Sequence, residues 1–454
     1  MCRFPPDVPK EIWIAKGTYR PSETGDSAAY FPISSNTGYI GGFAGWETAK
    51  SQRNPAANTV TISGDLGGGS RSRRLFRYSQ SDGGPAVSGD IVFEDLSFTG
   101  ARGADSGDTG PGITLDTTLG GGVQGRVELK NCVFTDLEAG YRGGAVYAEG
   151  LAVEISGSRF EQCRITGAGG YGGAVYVNGG PVNITDVAVT SASAYQGGAL
   201  YVADGAGRPV TMSGIRLENV SAGYASSGIT ISGGGNTVTI SNITINKTIA
   251  VSSNTHSGIY ISLWAEGTTD ISDAELYNAG IYINNSSGMN YLKNSTVSNS
   301  TTFENDHIYI FGGADISDLT VDGTRIGGNA SAVFISNPSY SVRPVNVSGL
   351  TVNNTKNGYG LTISNSSSQS TTMISGLTMN NTKVIIINGM GGGMFLQALE
   401  GGISSIADML ITGATASFAK GAYISSVTGF SVTNTVVNEV NREAAAPVPP
   451  IWTL

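Results

Sequence analysis

Three segments of the chain carry the same short motif, Gly-Gly-Ala-(Val/Leu)-Tyr: GGAVYAEG at 143–150, GGAVYVNG at 172–179 and GGALYVAD at 197–204. Degenerate copies of this strand continue along the chain at intervals of about 28 residues, and a period in the range of roughly 20–50 residues is typical of a solenoid. A single repeat of this length cannot bury its apolar face, so it must stack on its neighbours. This repeat constrains the fold more than any other feature of the sequence.

Eleven copies align on their central residue, and the sequence between them contains a second repeated unit. The central triplets are Val146-Tyr147-Ala148, Val175-Tyr176-Val177, Leu200-Tyr201-Val202, Ile229-Thr230-Ile231, Ile259-Tyr260-Ile261, Ile281-Tyr282-Ile283, Ile308-Tyr309-Ile310, Val333-Phe334-Ile335, Leu361-Thr362-Ile363, Met394-Phe395-Leu396 and Ala422-Tyr423-Ile424. The Met394 copy has an alternative in Ile385-Ile386-Ile387. The second unit, as in VTISNITINKT at 238–248, is a short strand, a turn and another short strand.

About three strands per repeat, without helical periodicity, predict one coil of a parallel β-helix. Successive coils would stack about 4.8 Å apart, with each strand paired to its copies above and below. Side chains alternate along a strand, so Ile259 and Ile261 would fill the core while Tyr260 points outward. On the next face, Val153 and Ile155 would be inside and Glu154 outside.

An asparagine recurs at one turn position between the strands, and asparagine tolerates left-handed backbone geometry. We therefore expect a structural ladder at this corner rather than a binding site. Its members are Asn219, Asn278, Asn299, Asn354 and Asn381.

The GGA(V/L)Y units resemble the GGA half of the repeats of polymorphic outer-membrane proteins, a group of bacterial surface autotransporters and adhesins. Over roughly residues 10–440 the chain is similar to secreted bacterial right-handed parallel β-helices of the pectate-lyase-like superfamily. EIWIAKGTY at 11–19 and GYIGGFAGWET at 38–48 resemble the opening coil and cap of such proteins. The resemblance implies a right-handed coil and an extracellular or bacterial outer-surface location.

We expect an all-β fold of roughly 12–13 coils. The N-terminal cap and first coil would occupy residues 1–65, the parallel β-helix residues 66–440, and a C-terminal tail or linker residues 441–454. MCRFPPDVPK, at the start, lacks the apolar segment of a secretion signal. Either a leader has been removed or the chain is cut from a longer one, and the linker-like AAAPVPPIWTL at 444–454 favours the second explanation.

Composition narrows the classes of partner and cofactor. Charged residues make up 13% of the chain and the formal net charge is −9, which argues against nucleic acid as a partner. No apolar run has the length of a membrane-spanning helix. Cys132 and Cys163 are expected to be small buried side chains, since neither disulfide nor metal spacing is present. No cofactor is predicted.

Nine of the eleven strands place an aromatic residue at the outward centre, and only Thr230 and Thr362 depart from this pattern. Two interpretations remain open. The rings could form a ladder that stiffens one face, or an exposed stripe that binds a glycan or a protein. The candidate ligand-binding residues are Tyr147, Tyr176, Tyr201, Tyr260, Tyr282, Tyr309, Phe334, Phe395 and Tyr423. A second series, Tyr141, Tyr171, Tyr195 and Tyr224, is expected to stack along a turn.

The sequence gives little support for a catalytic function, and no catalytic or metal-binding residue is predicted. Glycoside hydrolysis needs two carboxylates at a cleft, but acidic residues such as Glu128, Glu154 and Asp270 are scattered singly along the chain. The one dense polar group, Glu304 to His307, is expected to be a solvated turn.

Two Gly-rich loops near the N-terminal end carry clustered charge. Asp105 and Asp108 could hold calcium weakly, although two carboxylates are few for such a site. SRSRRLFRY at 70–78 could meet an anionic glycan through its arginines, but a solvated loop is favoured. The arginines are Arg71, Arg73, Arg74 and Arg77.

The leading functional expectation is an adhesin-like binding protein, extracellular or at the cell surface, that contacts a glycan or protein through the aromatic stripe. A structural stalk or passenger domain that displays other modules is the first alternative. A polysaccharide lyase or glycoside hydrolase is the second.

Overall fold

The fold is described from a computed structural model. It covers residues 10–442 except 82, 84–85, 88, 104, 118–122, 124, 205, 225–227, 251–257, 301–305, 325–329, 356–357, 368, 383–393, 399–401, 413–414, 417–421, 427–430 and 439–440. For residues 250, 394–398, 402–404, 415–416, 422–426, 432, 437 and 441–442, the description is limited to the backbone.

The chain divides into two units, Met1–Ile231 (unit 1) and Ser232–Leu454 (unit 2). Unit 1 contains a short 3-10 turn, Lys50–Gln52. Its strands are β1 Lys10–Ala15, β2 Gly17–Tyr19, β3 Phe31–Pro32, β4 Thr37–Phe43, β5 Val60–Ser63, β6 Asp65–Gly67, β7 Ser70–Arg71, β8 Phe76–Ser79, β9 Asp90–Glu94, β10 Ser97–Thr99, β11 Ile113–Asp116, β12 Arg126–Lys130, β13 Val133–Ala139, β14 Val146–Glu149, β15 Ala152–Ser156, β16 Arg159–Ile165, β17 Val175–Asn178, β18 Val182–Thr185, β19 Ala188–Thr190, β20 Ser193–Ala194, β21 Leu200–Asp204 and β22 Val210–Ala222.

The boundary between the units falls within β23, Ile229–Gly233. The strands of unit 2 are β24 Thr237–Ala250, β25 Ile259–Leu263, β26 Thr268–Tyr277, β27 Ile281–Ser298, β28 Ile308–Asp322, β29 Ser331–Asn337, β30 Val345–Ser348, β31 Thr351–Asn353, β32 Tyr359–Asn365, β33 Thr371–Asn380, β34 Met394–Ala398, β35 Gly402–Thr412, β36 Thr415–Ala416, β37 Ala422–Ser426, β38 Ser431–Asn438 and β39 Asn441–Arg442.

In unit 1, strands of successive coils pair in parallel along three faces. The first face runs β3–β8–β11–β14–β17–β21 and carries the Gly-Gly-Ala motif. The second runs β1–β4–β9–β12–β15–β18–β22. The third runs β2–β5–β10–β13–β16–β19–β22. The short hairpin β6–β7 is antiparallel and lies outside these faces.

Unit 2 has the same plan, but the second and third faces are often merged into one long bent strand, and β27 and β28 run through all three faces. Its first face runs β25–β27–β28–β29–β32–β34–β37. The other faces run β24–β26–β27–β28, and from there through β30 and β31 to β33, β35 and β38. The predicted parallel β-helix is therefore confirmed, with about 12 turns in all. The Met394 copy is the one that pairs with Leu361.

Alternation along each strand separates core from surface, as predicted. Ile259 and Ile261 are both 0% exposed, whereas Tyr260 between them is half-buried. On the second face Val153 and Ile155 are buried and Glu154 is half-buried. Most inward positions repeat an apolar residue in the next coil, so the core is largely a set of stacked apolar columns, although buried Thr269 and Asn290 are neighbours in one of them.

The predicted asparagine corner is a column of left-handed backbone. Asn219, Asn278, Asn299, Asn354 and Asn381 all have φ between 48° and 54°, a region that asparagine enters more readily than most residues. The amide of Asn381 donates to Oδ1 of Asn354 at 3.0 Å, which links two neighbouring coils. The corner is structural, as expected.

Unit 1 also contains an internal aromatic stack that the sequence analysis did not predict. Phe98, Phe134 and Phe160 are each 0% exposed. Their rings are stacked and nearly parallel, with centroids 4.6 Å apart for the first pair and 4.7 Å for the second. Cys132 and Cys163 are free thiols buried in the same unit, as predicted.

Candidate functional site

The outward centre of the first face holds a column of tyrosines in unit 1. Strand register places Tyr147, Tyr176 and Tyr201 in the same slot of three successive coils. The ring centroids of Tyr147 and Tyr176 are 5.6 Å apart with an interplanar angle of 8°. Those of Tyr176 and Tyr201 are 5.5 Å apart at 12°. The predicted in-register column is therefore present.

A second layer of side chains covers this column. The guanidinium of Arg142 lies 4.8 Å from the ring centroid of Tyr141 and 5.0 Å from that of Tyr176, in cation–π geometry. Tyr171 lies edge-on against Tyr201, with centroids 4.9 Å apart. The turns before the first two Gly-Gly-Ala strands thus fold Arg142 and Tyr171 onto the column.

The cover corrects the expectation of an exposed stripe in unit 1. Tyr147 is only 6% exposed and Tyr176 only 4%, so neither presents a free surface, while Tyr201 is half-buried. Burial raises the pKa of Tyr176 to about 12, because the phenolate would lose its hydration there. In unit 1 the ladder is favoured over the exposed stripe, because Arg142 and Tyr171 occupy the space above the column.

A polar group lies at the end of the same strands. The hydroxyl of Tyr147 donates to Oε2 of Glu149, and the amide of Asn178 donates to Oε1 of Glu149 at 2.8 Å. Asp116 pairs with Glu149 across the neighbouring strands. Burial raises the pKa of Glu149, and the charge of Asp116 acts in the same direction. The Glu149 carboxylate therefore helps to hold the covered column in place.

Unit 2 contains a second column on its first face, which we call the unit 2 column: Tyr260, Tyr282, Tyr309 and Phe334. Successive centroids are 4.8, 4.7 and 5.4 Å apart, with interplanar angles of 5°, 8° and 4°. All four side chains are half-buried. Burial raises the pKa of Tyr282 to about 12, with a further contribution from Tyr309 and Tyr260 on either side.

The column of backbone positions continues beyond Phe334. Thr362 follows in register and is 6% exposed. The backbones of Phe395 and Tyr423 occupy the next two slots, but their side chains lie outside the described residues. The structure therefore brings seven of the nine predicted aromatic side chains into two described stacks, three rings in unit 1 and four in unit 2.

The stacking determines which part of each ring could meet a partner. Rings spaced 4.7–4.8 Å apart and nearly parallel cover one another's faces, so both faces of Tyr282 are occupied. The parts that the stacking leaves uncovered are the ring edges. The unit 2 column can therefore offer C–H edges to a partner, with the hydroxyls of Tyr260 and Tyr309 beside them, but not the flat face of an inner ring.

The second tyrosine series stacks in pairs, as expected. Tyr141 and Tyr171 meet edge to face with centroids 5.9 Å apart. Tyr195 and Tyr224 are stacked at 5.5 Å and 11°, and remain 40% and 44% exposed.

The arginine cluster is largely neutralised by carboxylates. Arg73 lies 3.0 Å from Asp105, and Arg74 lies 2.6 Å from Asp108. Arg71 is 4.0 Å from Asp65, and Arg77 lies over the ring of Tyr30 at 5.6 Å. The loops considered for calcium and for an anionic glycan are thus bound to each other. Among the described residues, no group of three or more Asp, Glu, His or Cys side chains could hold a metal ion.

A charged ladder on the second face of unit 1 was missed because its members are far apart in sequence. Arg126 lies 2.7 Å from Asp90, 2.5 Å from Glu128 and 3.0 Å from Glu154. Register places Glu128 directly beside Glu154. These carboxylates are therefore not isolated, and aligning the repeats strand by strand would have shown their proximity. The shared guanidinium assigns them a structural role.

The polar group before β28 is not the solvated turn that was expected. His307 is 1% exposed, and its Nδ1 lies 2.7 Å from Oγ of Ser300. The backbone N–H of Ser331 donates to Oδ1 of Asp306 at 2.5 Å. Burial raises the pKa of Asp306 to about 6. Glu304 and Asn305 lie outside the described residues.

No family model matches the chain, and no curated protein or solved structure matches it significantly. In the part of the chain that the structure describes, no helix has the length and apolar character needed to cross a membrane.

Proposed function

We propose that this chain is an adhesin-like binding protein, extracellular or at the cell surface, and that the unit 2 column is its contact surface. The observation that carries the proposal is the contrast between the two aromatic columns. Tyr147 and Tyr176 are covered by their own turn residues, whereas Tyr260, Tyr282, Tyr309 and Phe334 remain half-buried. A row of accessible aromatic edges on a rigid sheet is typical of an interface.

The ring geometry favours a protein over a glycan as the partner of this column. Sugar rings pack their C–H faces on aromatic faces, and here the faces of the inner rings are already stacked on one another. Tyrosine edges with hydroxyls instead suit a protein surface, where an apolar contact and a hydrogen bond are made by the same side chain. Coils repeat about every 4.8 Å, so the ring edges of Tyr260, Tyr282 and Tyr309 form a regular row, along which the hydroxyls of Tyr260 and Tyr309 can donate or accept hydrogen bonds.

The experiment compares two triple variants at Tyr260, Tyr282 and Tyr309 in pull-downs from candidate host or partner cells and on a glycan array. Replacement by alanine removes the row and is expected to weaken binding by about tenfold or more. Replacement by phenylalanine keeps the stack and removes only the hydroxyls, so it should give an intermediate loss. Undiminished binding by the alanine variant rejects the proposal.

The matched control is the exposed tyrosine pair of unit 1. Tyr195→Ala and Tyr224→Ala remove a similarly stacked pair of rings, 40% and 44% exposed, without touching the unit 2 column. Their binding should equal that of the parent. Thermal melting of every variant separates loss of contact from loss of fold.

A structural stalk is the second candidate, and the covered column of unit 1 favours it. Arg142 and Tyr171 cover the rings from within the same chain, so in this unit the aromatic ladder serves rigidity rather than recognition. A parent chain that displays other modules, with no binding that depends on Tyr282, would support the stalk.

A further inference from the structure

Two turns of unit 2 expose large aromatic side chains outside the unit 2 column. Trp264 follows β25 and is 67% exposed, and Tyr340 follows β29 and is 65% exposed. They are the two most exposed large apolar side chains among the described residues of unit 2. Neither ring is stacked on another aromatic ring in the described part of the chain. Unlike the ring faces of Tyr282, the faces of these two rings can therefore pack against a ligand.

An ion pair joins the two turns across the intervening coils. Nη2 of Arg343 contacts Oε1 of Glu266, and 77 residues separate the two in sequence. Glu266 lies two residues after Trp264, and Arg343 lies three residues after Tyr340. The pair therefore brings the two aromatic turns into contact, each turn contributing one of its two charges.

Hydrogen bonds from buried side chains hold the backbone of the turn that carries Tyr340. The amide of buried Asn337 donates to the carbonyl of Arg343 at 3.0 Å, and the hydroxyl of Ser370 donates to the same carbonyl at 2.6 Å. The hydroxyl of Ser367 donates to the carbonyl of Ser341. Because Asn337, Ser367 and Ser370 are almost completely buried, the turn is ordered before any ligand arrives. Such preorganisation lowers the entropic cost of binding.

The chemistry of this surface fits a neutral sugar. A pyranose ring has C–H groups that pack on an aromatic face and hydroxyls that both donate and accept hydrogen bonds. Glu266 can accept from a hydroxyl and Arg343 can donate to one. The two charges neutralise each other, and the chain carries a net charge of −9, so an acidic sugar would be disfavoured relative to an uncharged one.

We propose that Trp264, Tyr340 and the Glu266–Arg343 pair form a binding site for a neutral glycan. The site is separate from the unit 2 column and does not depend on the contact proposed there. Its ligand stacks on the exposed ring faces while its hydroxyls bond to the carboxylate and guanidinium.

The test uses the whole chain on an array of neutral oligosaccharides of glucose, mannose, galactose and N-acetylglucosamine, with acidic oligosaccharides on the same array. The parent should bind at least one neutral glycan in preference to the acidic ones. Trp264→Ala and Tyr340→Ala should each weaken that binding by about tenfold or more. Glu266→Gln keeps the shape of the side chain but removes its charge, and should also weaken it.

Trp46→Ala is the matched control, because Trp46 is a tryptophan of unit 1 that is 70% exposed. It should bind the neutral glycan as the parent does, and unchanged melting of the Trp264 and Tyr340 variants excludes unfolding. The proposal is overturned if the parent binds no neutral glycan, if it prefers acidic ones, or if the two variants bind as well as the parent. Loss of binding only in the Tyr260, Tyr282 and Tyr309 variant would overturn this site and support the column.

Discussion

Replacing Tyr282 by alanine tests the energetic role of the unit 2 column most directly. Tyr282 lies between Tyr260 and Tyr309, with ring centroids 4.8 and 4.7 Å away. Each stacked pair contributes roughly 0.5–1.5 kcal/mol beyond the area that it buries, so the loss of both stacks should cost about 1–3 kcal/mol in addition to the lost burial. Tyr282→Phe retains both stacks and should cost less than about 1 kcal/mol.

Urea denaturation followed by circular dichroism measures these free energies of unfolding. A double-mutant cycle of Tyr282→Ala with Tyr309→Ala isolates the pair, and the coupling energy should be about 0.5–1.5 kcal/mol. The equivalent cycle between Tyr282 and Phe334, which are not in contact in the column, should give a coupling near zero. A zero coupling for Tyr282 with Tyr309, or an alanine variant as stable as Tyr282→Phe, would refute the reasoning.

Three further predictions concern burial. Ile261→Asp places a carboxylate at a position that is 0% exposed, so it should destabilise unit 2 strongly, and an unchanged melting temperature would contradict the assigned register. The pKa of Asp306 is raised from 3.8 to about 6, so ionisation of this carboxyl group opposes folding. The contribution of Asp306 to the free energy of unfolding should therefore be greatest below about pH 4 and be lost as the pH rises through about 6. Asp306→Asn should therefore be more stable than the parent at about pH 7 and similar to it at about pH 4 in urea titrations; equal stability at both values would exclude this linkage. Burial raises the pKa of Cys132 to about 12, and raises that of Cys163 as well. In a Cys2→Ser variant, neither thiol should therefore react with a disulfide reagent until urea unfolds the protein. Rapid labelling of the native variant would show that the two thiols are accessible.

The fold could be predicted because its determinants are local and repeated. The alternation in Ile259-Tyr260-Ile261 indicates which side chains are inside. The recurrence of the same triplet in the next coil then determines the register in which the two strands pair. The left-handed corner was predictable at Asn354 and Asn381 for the same reason. Asparagine recurs at this position of the repeat, and it enters the left-handed region more readily than most residues.

The surroundings of the aromatic columns could not be predicted in this way. The exposure of Tyr176 depends on the direction in which the preceding turn points the side chain of Arg142. No repeated sequence pattern predicts that direction. The ion pair of Glu266 with Arg343 joins residues 77 positions apart, so only the fold reveals it. The repeat therefore predicts the backbone and the core, whereas the surface is decided by single residues in the turns.

The equivalence of strand positions in successive coils determines how such a chain can change its length. Excising residues 146–174 would join Ala145 directly to Val175, which occupies the same slot one coil later and pairs in the same register. Since each coil meets its neighbours through equivalent slots, gene duplication or loss of one coil would alter the length of unit 1 by about 4.8 Å without a new folding problem. Natural variation in this protein is therefore expected to occur in whole coils, while single-residue insertions should be confined to the turns.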